Sequence, residues 1–222
     1  MSRIRGGAVA DLLHGVESPA SEIMAPGAVL LRGFAQGEIE TLAAAIEAIA
    51  AAAPFRHMIT PGGFRMSVAM TNCGRAGWIT DRRGYRYDEQ DPLTGRPWPA
   101  LPERFRALAA RAAASAGFAD FAPDACLVNR YEPGARLTLH QDRNERDFAQ
   151  PIVSVSLGLP ATFLFGGSER RERPRRYALQ SGDVAVWGGP ARLAFHGVDK
   201  LLEGEDARFG RYRYNLTLRR AL

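Results

Sequence analysis

Two imidazoles and one carboxylate are spaced to do chemistry together: His140 and Asp142, one residue apart, and His196 much later in the chain. Along a strand, residues two apart face the same side, so His140 and Asp142 can point into one cavity. A second imidazole from another strand would complete two His and one carboxylate on one face, with coordination positions left open. Non-haem iron(II) that must also bind a cosubstrate and oxygen uses that ligand set. Alone, the motif is weak: with four His in the chain, a chance His-x-Asp arises on the order of one time in five.

Context comes from the last polar run, Arg213-Tyr-Asn215-Leu-Thr217-Leu-Arg219. Its alternation puts Arg213, Asn215, Thr217 and Arg219 on one face of a strand and Tyr214, Leu216 and Leu218 on the other. On an edge strand the polar face would meet water. Lining a barrel, two buried guanidiniums would instead require an anion. A dicarboxylate such as 2-oxoglutarate meets that need, because Arg grips a carboxylate through two parallel charge-assisted hydrogen bonds. Asn129 and Tyr131 likewise share one face of the run CLVNRYE, and could hydrogen-bond the same ligand.

Such residues need strands to hold them. From Cys126 onward, CLVNRYE, ARLTLH, IVSVSLGL, TFLFGG, RRYALQ, DVAVWGG, ARLAFHGV and RYRYNLTLR are punctuated by Gly and Pro turns. Roughly eight short strands of this kind predict a jelly roll or small barrel. Upstream, GAVLLRGF reads as a short buried strand. Ile39, Leu42, Ile46 and Ile49 then recur at helical spacing until Pro54 stops the helix. A second amphipathic helix is expected over 101–116, with Leu101, Phe105, Leu108 and Ala112 on one stripe and Gly117 behind it. Between the helices, Arg56 to Pro99 is polar, aromatic and rich in Gly and Pro, with short strand-like runs such as Met66 to Met70. Recognition tends to reside in segments of this kind.

Composition sets the outer bounds. A chain of 222 residues with 46% hydrophobic and 24% charged residues is expected to fold as one unit around a real core. Lys+Arg 29 against Asp+Glu 24, net +5, permits a polyanionic partner without deciding for one. Cys73 and Cys126, far apart in sequence, read as buried thiols of a reducing compartment, not a disulfide framework. The longest apolar stretch, Leu42 to Pro54, is mostly Ala, carries Glu47 and is too short to span a bilayer. With no cleavable leader pattern at the start, a cytoplasmic location is the expectation.

Residues 126–219 resemble the catalytic core of the AlkB family of nucleic-acid repair dioxygenases, and Thr60 to Pro99 resembles that family's nucleotide-recognition lid. The matching strings are Asn129-Arg130-Tyr131, His140-Gln141-Asp142, PIVSVSLGLPA, GDVAVWGG, Phe195-His196-Gly197 and RYNLTLR, with PGGF, MTNCG and GYRY upstream. As an ordered set they are specific, although each alone is weak. The resemblance implies an α+β, mainly β fold: a double-stranded β-helix (jelly roll) with N-terminal helices and a lid. It implies one catalytic domain over 1–222, divided at about 1–55 (extension with helix), about 56–99 (lid) and about 100–222 (helix plus dioxygenase core).

The resemblance also implies roles for particular residues. His140, Asp142 and His196 would hold Fe(II) and serve as the catalytic centre. Arg213, with Asn215 and Tyr131, would take the distal carboxylate of 2-oxoglutarate, while Arg219 and Asn129 sit near its metal-bound end. With O2, the cosubstrate would become succinate and CO2, and an N-alkyl group would be hydroxylated and released as an aldehyde. Substrates would be alkylated bases in single- or double-stranded DNA, with RNA as a second candidate, repaired by a monomer. Because a base within a duplex cannot reach buried iron, it must be flipped out or presented from a single strand. Trp78 would stack on it opposite His140, with Tyr85 near the adjacent phosphate.

Read without the resemblance, Trp78 is an ordinary core aromatic, and Trp187 fits core packing as well as ligand contact. Arg136, Arg143 and Arg170 are candidate phosphate contacts, against the plain alternative of solvated charge. One departure from the family pattern follows the metal carboxylate. Where bacterial members carry an acidic pair expected to contact the base, this chain has Asn144 and Glu145. Asn144 brings no negative charge, which predicts weaker selection for cationic lesions or a changed balance between adenine and cytosine lesions. The rival readings are the same chemistry on RNA, a protein or a small molecule, and a non-catalytic nucleic-acid-binding jelly roll. The second leaves the metal ligands and both Arg residues without purpose.

Overall fold

A computed structural model describes residues 20–222, so residues 1–19 of the expected extension lie outside the described part. The chain opens with the hairpin β1 (Ser21–Ala25) and β2 (Ala28–Leu31), followed by helix α1 (Ile39–Ala52). Next come β3 (Arg56–Ile59), β4 (Arg65–Gly74), the hairpin strands β5 (Gly77–Asp81) and β6 (Gly84–Asp88), and helix α2 (Glu103–Ser115). The eight expected strands then follow in order: β7 (Ala125–Tyr131), β8 (Leu137–His140), β9 (Ile152–Gly158), β10 (Ala161–Phe165), β11 (Arg175–Leu179), β12 (Val184–Trp187), β13 (His196–Val198) and β14 (Arg213–Arg219).

Two sheets make the jelly roll. The larger has the order β1-β2-β12-β9-β14-β7-β4-β3, the smaller β11-β10-β13-β8, and β5-β6 forms a separate two-stranded sheet. The helices cover the outer face of the large sheet. Leu42, Ile46 and Ile49 of α1 and Phe105, Leu108 and Ala112 of α2 join one buried cluster with Val153, Val155, Leu216 and Leu218. This is why β14 alternates: its Leu residues face the helices, and its polar residues face inward between the sheets. The inward set is buried as well, with Arg213 at 1% and Arg219 at 4% exposure, so β14 is an interior strand and not a solvated edge.

The segment 56–99 is more divided than its composition suggests. β3 and β4 belong to the large sheet, where β4 pairs with β7 from Ala69 to Gly74, and only β5-β6 stands apart. The same pairing makes Cys73 and Cys126 direct cross-strand neighbours, both fully buried free thiols. Among the described residues, no helix is long and apolar enough to cross a membrane.

Candidate active site

Between the sheets lies a cavity of about 500 Å³, with the β5-β6 hairpin at its mouth. His140 ends β8 and His196 begins β13, and the two are partners in the ladder joining these strands. Their rings lie 4.4 Å apart, centre to centre. Gly197 permits this close pairing, because a Cβ there would meet the Leu137 carbonyl oxygen at 2.6 Å. Asp142, just beyond β8, brings one carboxylate oxygen to 3.8 Å from His140 Nε2 and the other to 3.6 Å from His196 Nε2. One ligand atom from each of the three residues falls within 4.8 Å of the others.

Hydrogen bonds settle which nitrogens are offered. His140 Nδ1 meets the Thr138 carbonyl at 2.9 Å and His196 Nδ1 meets the Ala194 carbonyl at 3.0 Å. A carbonyl only accepts, so each Nδ1 carries a proton and Nε2 is the nitrogen left to face Asp142. Burial, followed by the neighbouring His196, lowers the His140 pKa to about 4, which keeps that imidazole neutral and ready to ligate. Burial works to raise the Asp142 pKa, but the Arg219 guanidinium outweighs it and holds the carboxyl well below the usual range. Arg219 grips Asp142 Oδ2 through Nε at 3.1 Å and Nη2 at 2.6 Å. The donor set fits Fe(II): two imidazoles and a carboxylate on one face, with the rest of the cavity open.

Deeper in, Arg213 is buried yet nearly unpartnered. Its Nη2 donates to Ser156 Oγ at 3.0 Å, while Nε and Nη1 have no partner. Burial lowers its pKa to about 10, with Tyr131 and Asp183 acting the other way, so it stays cationic at neutral pH. A buried cation with two free donors fits a carboxylate. Tyr131 lines the same wall, and burial pushes its phenol up to about 12. Asn215 differs from the rest. Its amide donates to Ser154 Oγ at 2.7 Å and the Val155 carbonyl at 3.2 Å, and its oxygen accepts from Asn129 and Thr217. Asn215 therefore organises the wall, and both its donors are already engaged.

At the mouth, Trp78 and Tyr85 stack with ring centres 5.7 Å apart and planes 22° from parallel. Asn72 fixes the Trp78 backbone, accepting from its N–H at 3.0 Å and donating to its carbonyl at 3.1 Å. Trp78 Nε1 donates to Asn144 Oδ1 at 3.0 Å, so the hairpin touches the loop that follows Asp142. Arg143 and Arg170 line the cavity with them.

Two expected substrate residues lie elsewhere. Arg136 is exposed at the start of β8 and does not line the cavity, its backbone being tied to Ser67. Glu145 is buried away from the cavity and accepts from Tyr87 Oη at 2.6 Å and Arg192 Nη2 at 3.1 Å. Adjacency to Asn144 suggested a base contact, but successive residues diverge here and the carboxylate turns inward to these donors.

Sequence reasoning passed over Tyr87 and Arg192. Tyr87 shares the alternation of Tyr85 within GYRY, a signal that was available. Arg192 lies in a loop after β12 without periodicity, yet it is 3% exposed and donates to the Asp142 carbonyl at 2.8 Å. Trp187 lines the cavity and packs on His196 with ring centres 4.8 Å apart, so it is core and wall at once.

Comparison with known proteins agrees with this geometry. The 2OG-Fe(II) oxygenase superfamily model matches residues 27–219. The chain is 55% identical over 205 residues to "Alpha-ketoglutarate-dependent dioxygenase AlkB" of Salmonella typhimurium, covering 92% of this chain and 95% of that protein. It is 35% identical over 131 residues to human "Nucleic acid dioxygenase ALKBH1", covering 58% of this chain and 33% of that one. A solved structure described as "The structure of OsALKBH1" superposes with a TM-score of 0.80 at 28% identity, covering 90% of this chain and 100% of that chain. With its His140–Asp142–His196 cluster and the free donors of Arg213 between the jelly-roll sheets, the chain belongs to the AlkB family of Fe(II)- and 2-oxoglutarate-dependent dioxygenases, oxidoreductases using O2.

Proposed function

We propose that this protein oxidatively removes alkyl groups from N-alkylated nucleobases such as N1-methyladenine and N3-methylcytosine, acting in DNA repair, with RNA as a second substrate. The observation that carries the reading is the stacked Trp78–Tyr85 pair over a cavity whose floor is the His140–Asp142–His196 cluster. In this reading the base stacks on Trp78 with His140 on its other side. Stacking of this kind contributes roughly 1–3 kcal/mol per base, and a cationic methylated base gains further attraction to the ring face. Arg143 and Arg170 at the mouth suit flanking phosphates.

His140, Asp142 and His196 would hold Fe(II), which with 2-oxoglutarate and O2 supplies the oxidising chemistry at the alkyl carbon. The protein does the positioning. Arg213, Tyr131 and Asn129 orient the diacid, and Arg219 keeps Asp142 ionised. Phe163, Leu179 and Trp187 supply the apolar part of the cavity lining. The protein is read as a cytoplasmic monomer taking single- or double-stranded DNA, with one catalytic domain and β5-β6 as the lid.

The test is formaldehyde release, with Fe(II), 2-oxoglutarate and O2, from single-stranded oligonucleotides carrying N1-methyladenine or N3-methylcytosine. Wild type should release formaldehyde, and His140→Ala should fall to background. Release from a methylated peptide but from neither oligonucleotide would overturn the reading.

A further inference from the structure

Behind the proposed metal carboxylate lies a closed set of charges, of which the chemistry above uses only Asp142 and Arg219. Asp142, Glu145, Arg192 and Arg219 are all 9% exposed or less, two carboxylates against two guanidiniums. Buried charges persist only when paired and hydrogen-bonded, so this set is rigid where complete and costly where broken. Arg192 joins the ends of the loop: Nη1 donates to the Asp142 backbone carbonyl at 2.8 Å and Nη2 to Glu145 Oε2 at 3.1 Å. Arg219 joins the side chains, holding Asp142 Oδ2 while its Nε lies 3.5 Å from Glu145 Oε1.

One group in this set comes from outside the barrel. Tyr87, on β6 of the hairpin, donates to Glu145 Oε1 at 2.6 Å and accepts from Arg219 Nη1 at 3.4 Å. It does not line the cavity, so substrate contact does not account for it. Burial and the nearby carboxylate raise its pKa well above the ordinary phenol value, so it remains a donor. With Oε1 engaged by the phenol, Glu145 leaves Arg219 to Asp142. Without the phenol, Oε1 is short of a donor and Arg219 is the cation within reach.

We propose that Tyr87 and Glu145 are positioning residues: through Arg219 they fix the orientation of Asp142, so that the hairpin carrying the base slot is also part of the metal-ligand scaffold. Trp78 bonding to Asn144 gives the same hairpin a second hold on the loop after Asp142. The proposal rests on the iron site described above, and predicts a two-way link. Seating the hairpin orders the carboxylate, and a metal on the carboxylate steadies the hairpin.

Mn(II), a non-turnover probe, tests this on the full chain with 2-oxoglutarate, reading metal affinity by titration and amide exchange over Gly77–Asp88 by mass spectrometry. In wild type, Mn(II) should slow exchange across the hairpin. Tyr87→Phe should bind Mn(II) on the order of ten times more weakly, the usual scale for losing a group that orients a ligand, and should lose most of the hairpin protection. Glu145→Gln, which keeps an acceptor for Tyr87 but not the charge, should shift both readouts in the same direction. Arg86→Ala removes an ion pair to Asp81 within the hairpin, 2.9 Å long, without touching the buried set. It should speed exchange near Asp81 while leaving Tyr87 seated on Glu145, and so leave Mn(II) affinity unchanged. Wild-type affinity and protection in Tyr87→Phe would overturn the proposal, as would equal weakening by Arg86→Ala. Absence of Mn(II) binding in wild type itself would instead sink the underlying metal site, and the proposal with it.

Discussion

The inner wall of the barrel and the rim of its mouth are both polar, but they are polar in different ways. On the wall, Asn215 is bonded to Ser154 on the neighbouring strand and to Thr217, Arg219 is bonded to Asp142, and all of them are buried, while Arg213 and Trp187 keep free donors. At the rim, Arg143, Asn144 and Arg170 are exposed and Tyr85 is about half exposed, with few fixed partners. A wall residue is held by strand register, so replacing it disturbs both its ligand and its neighbours. A rim residue answers mainly to whatever arrives from solvent. The wall should therefore define the chemistry, and the rim should tune which base reaches it.

The largest separation between the two regions is expected at Arg213. Arg213→Lys keeps the charge but loses the fork, and losing a charge-assisted hydrogen bond costs roughly 1.5–3 kcal/mol. The KM for 2-oxoglutarate should rise on the order of 10- to 100-fold, with little change in the KM for the oligonucleotide. A shift confined to the oligonucleotide would erase the distinction between wall and rim.

Trp78→Ala should show the opposite split. With stacking worth roughly 1–3 kcal/mol, the oligonucleotide KM should rise on the order of 5- to 100-fold while uncoupled 2-oxoglutarate turnover persists. Equal loss of both would place Trp78 with the wall.

Asn144→Asp probes the rim more finely. Restoring a negative charge beside the base should favour the cationic N1-methyladenine over the neutral N3-methylthymine by a few-fold, the scale of a partly exposed ion pair. An unchanged ratio of kcat/KM values would dismiss charge selection at this position. The smallest effect is expected from Arg170→Ala, which should weaken binding similarly for all sequences and reduce the salt dependence of log K by about one unit of slope. An unaltered salt slope would mean that Arg170 is merely solvated.

Much of the wall was legible in the sequence because β14 states its own geometry: apolar residues for the helices alternate with polar residues for the cavity, and a period of two has only two faces. The eight strands from β7 to β14 were readable for the same local reasons, as was α1 up to Pro54. What escaped reading depends on pairing between distant segments. Nothing local in RMSVAMTNCG says that β4 joins the large sheet beside β7 and sets Cys73 against Cys126. Nothing near Glu145 says that Tyr87 and Arg192 will converge on it from other parts of the chain. The rim was legible only through the family resemblance, since exposed aromatics and Arg residues carry no periodic signal.

The most direct measurement is a crystal structure of the protein with Mn(II) and 2-oxoglutarate. The ion should bond His140 Nε2, Asp142 and His196 Nε2, with the far carboxylate of the diacid on the free donors of Arg213. Metal bound at another residue set, or a diacid that leaves Arg213 without a partner, would contradict the account.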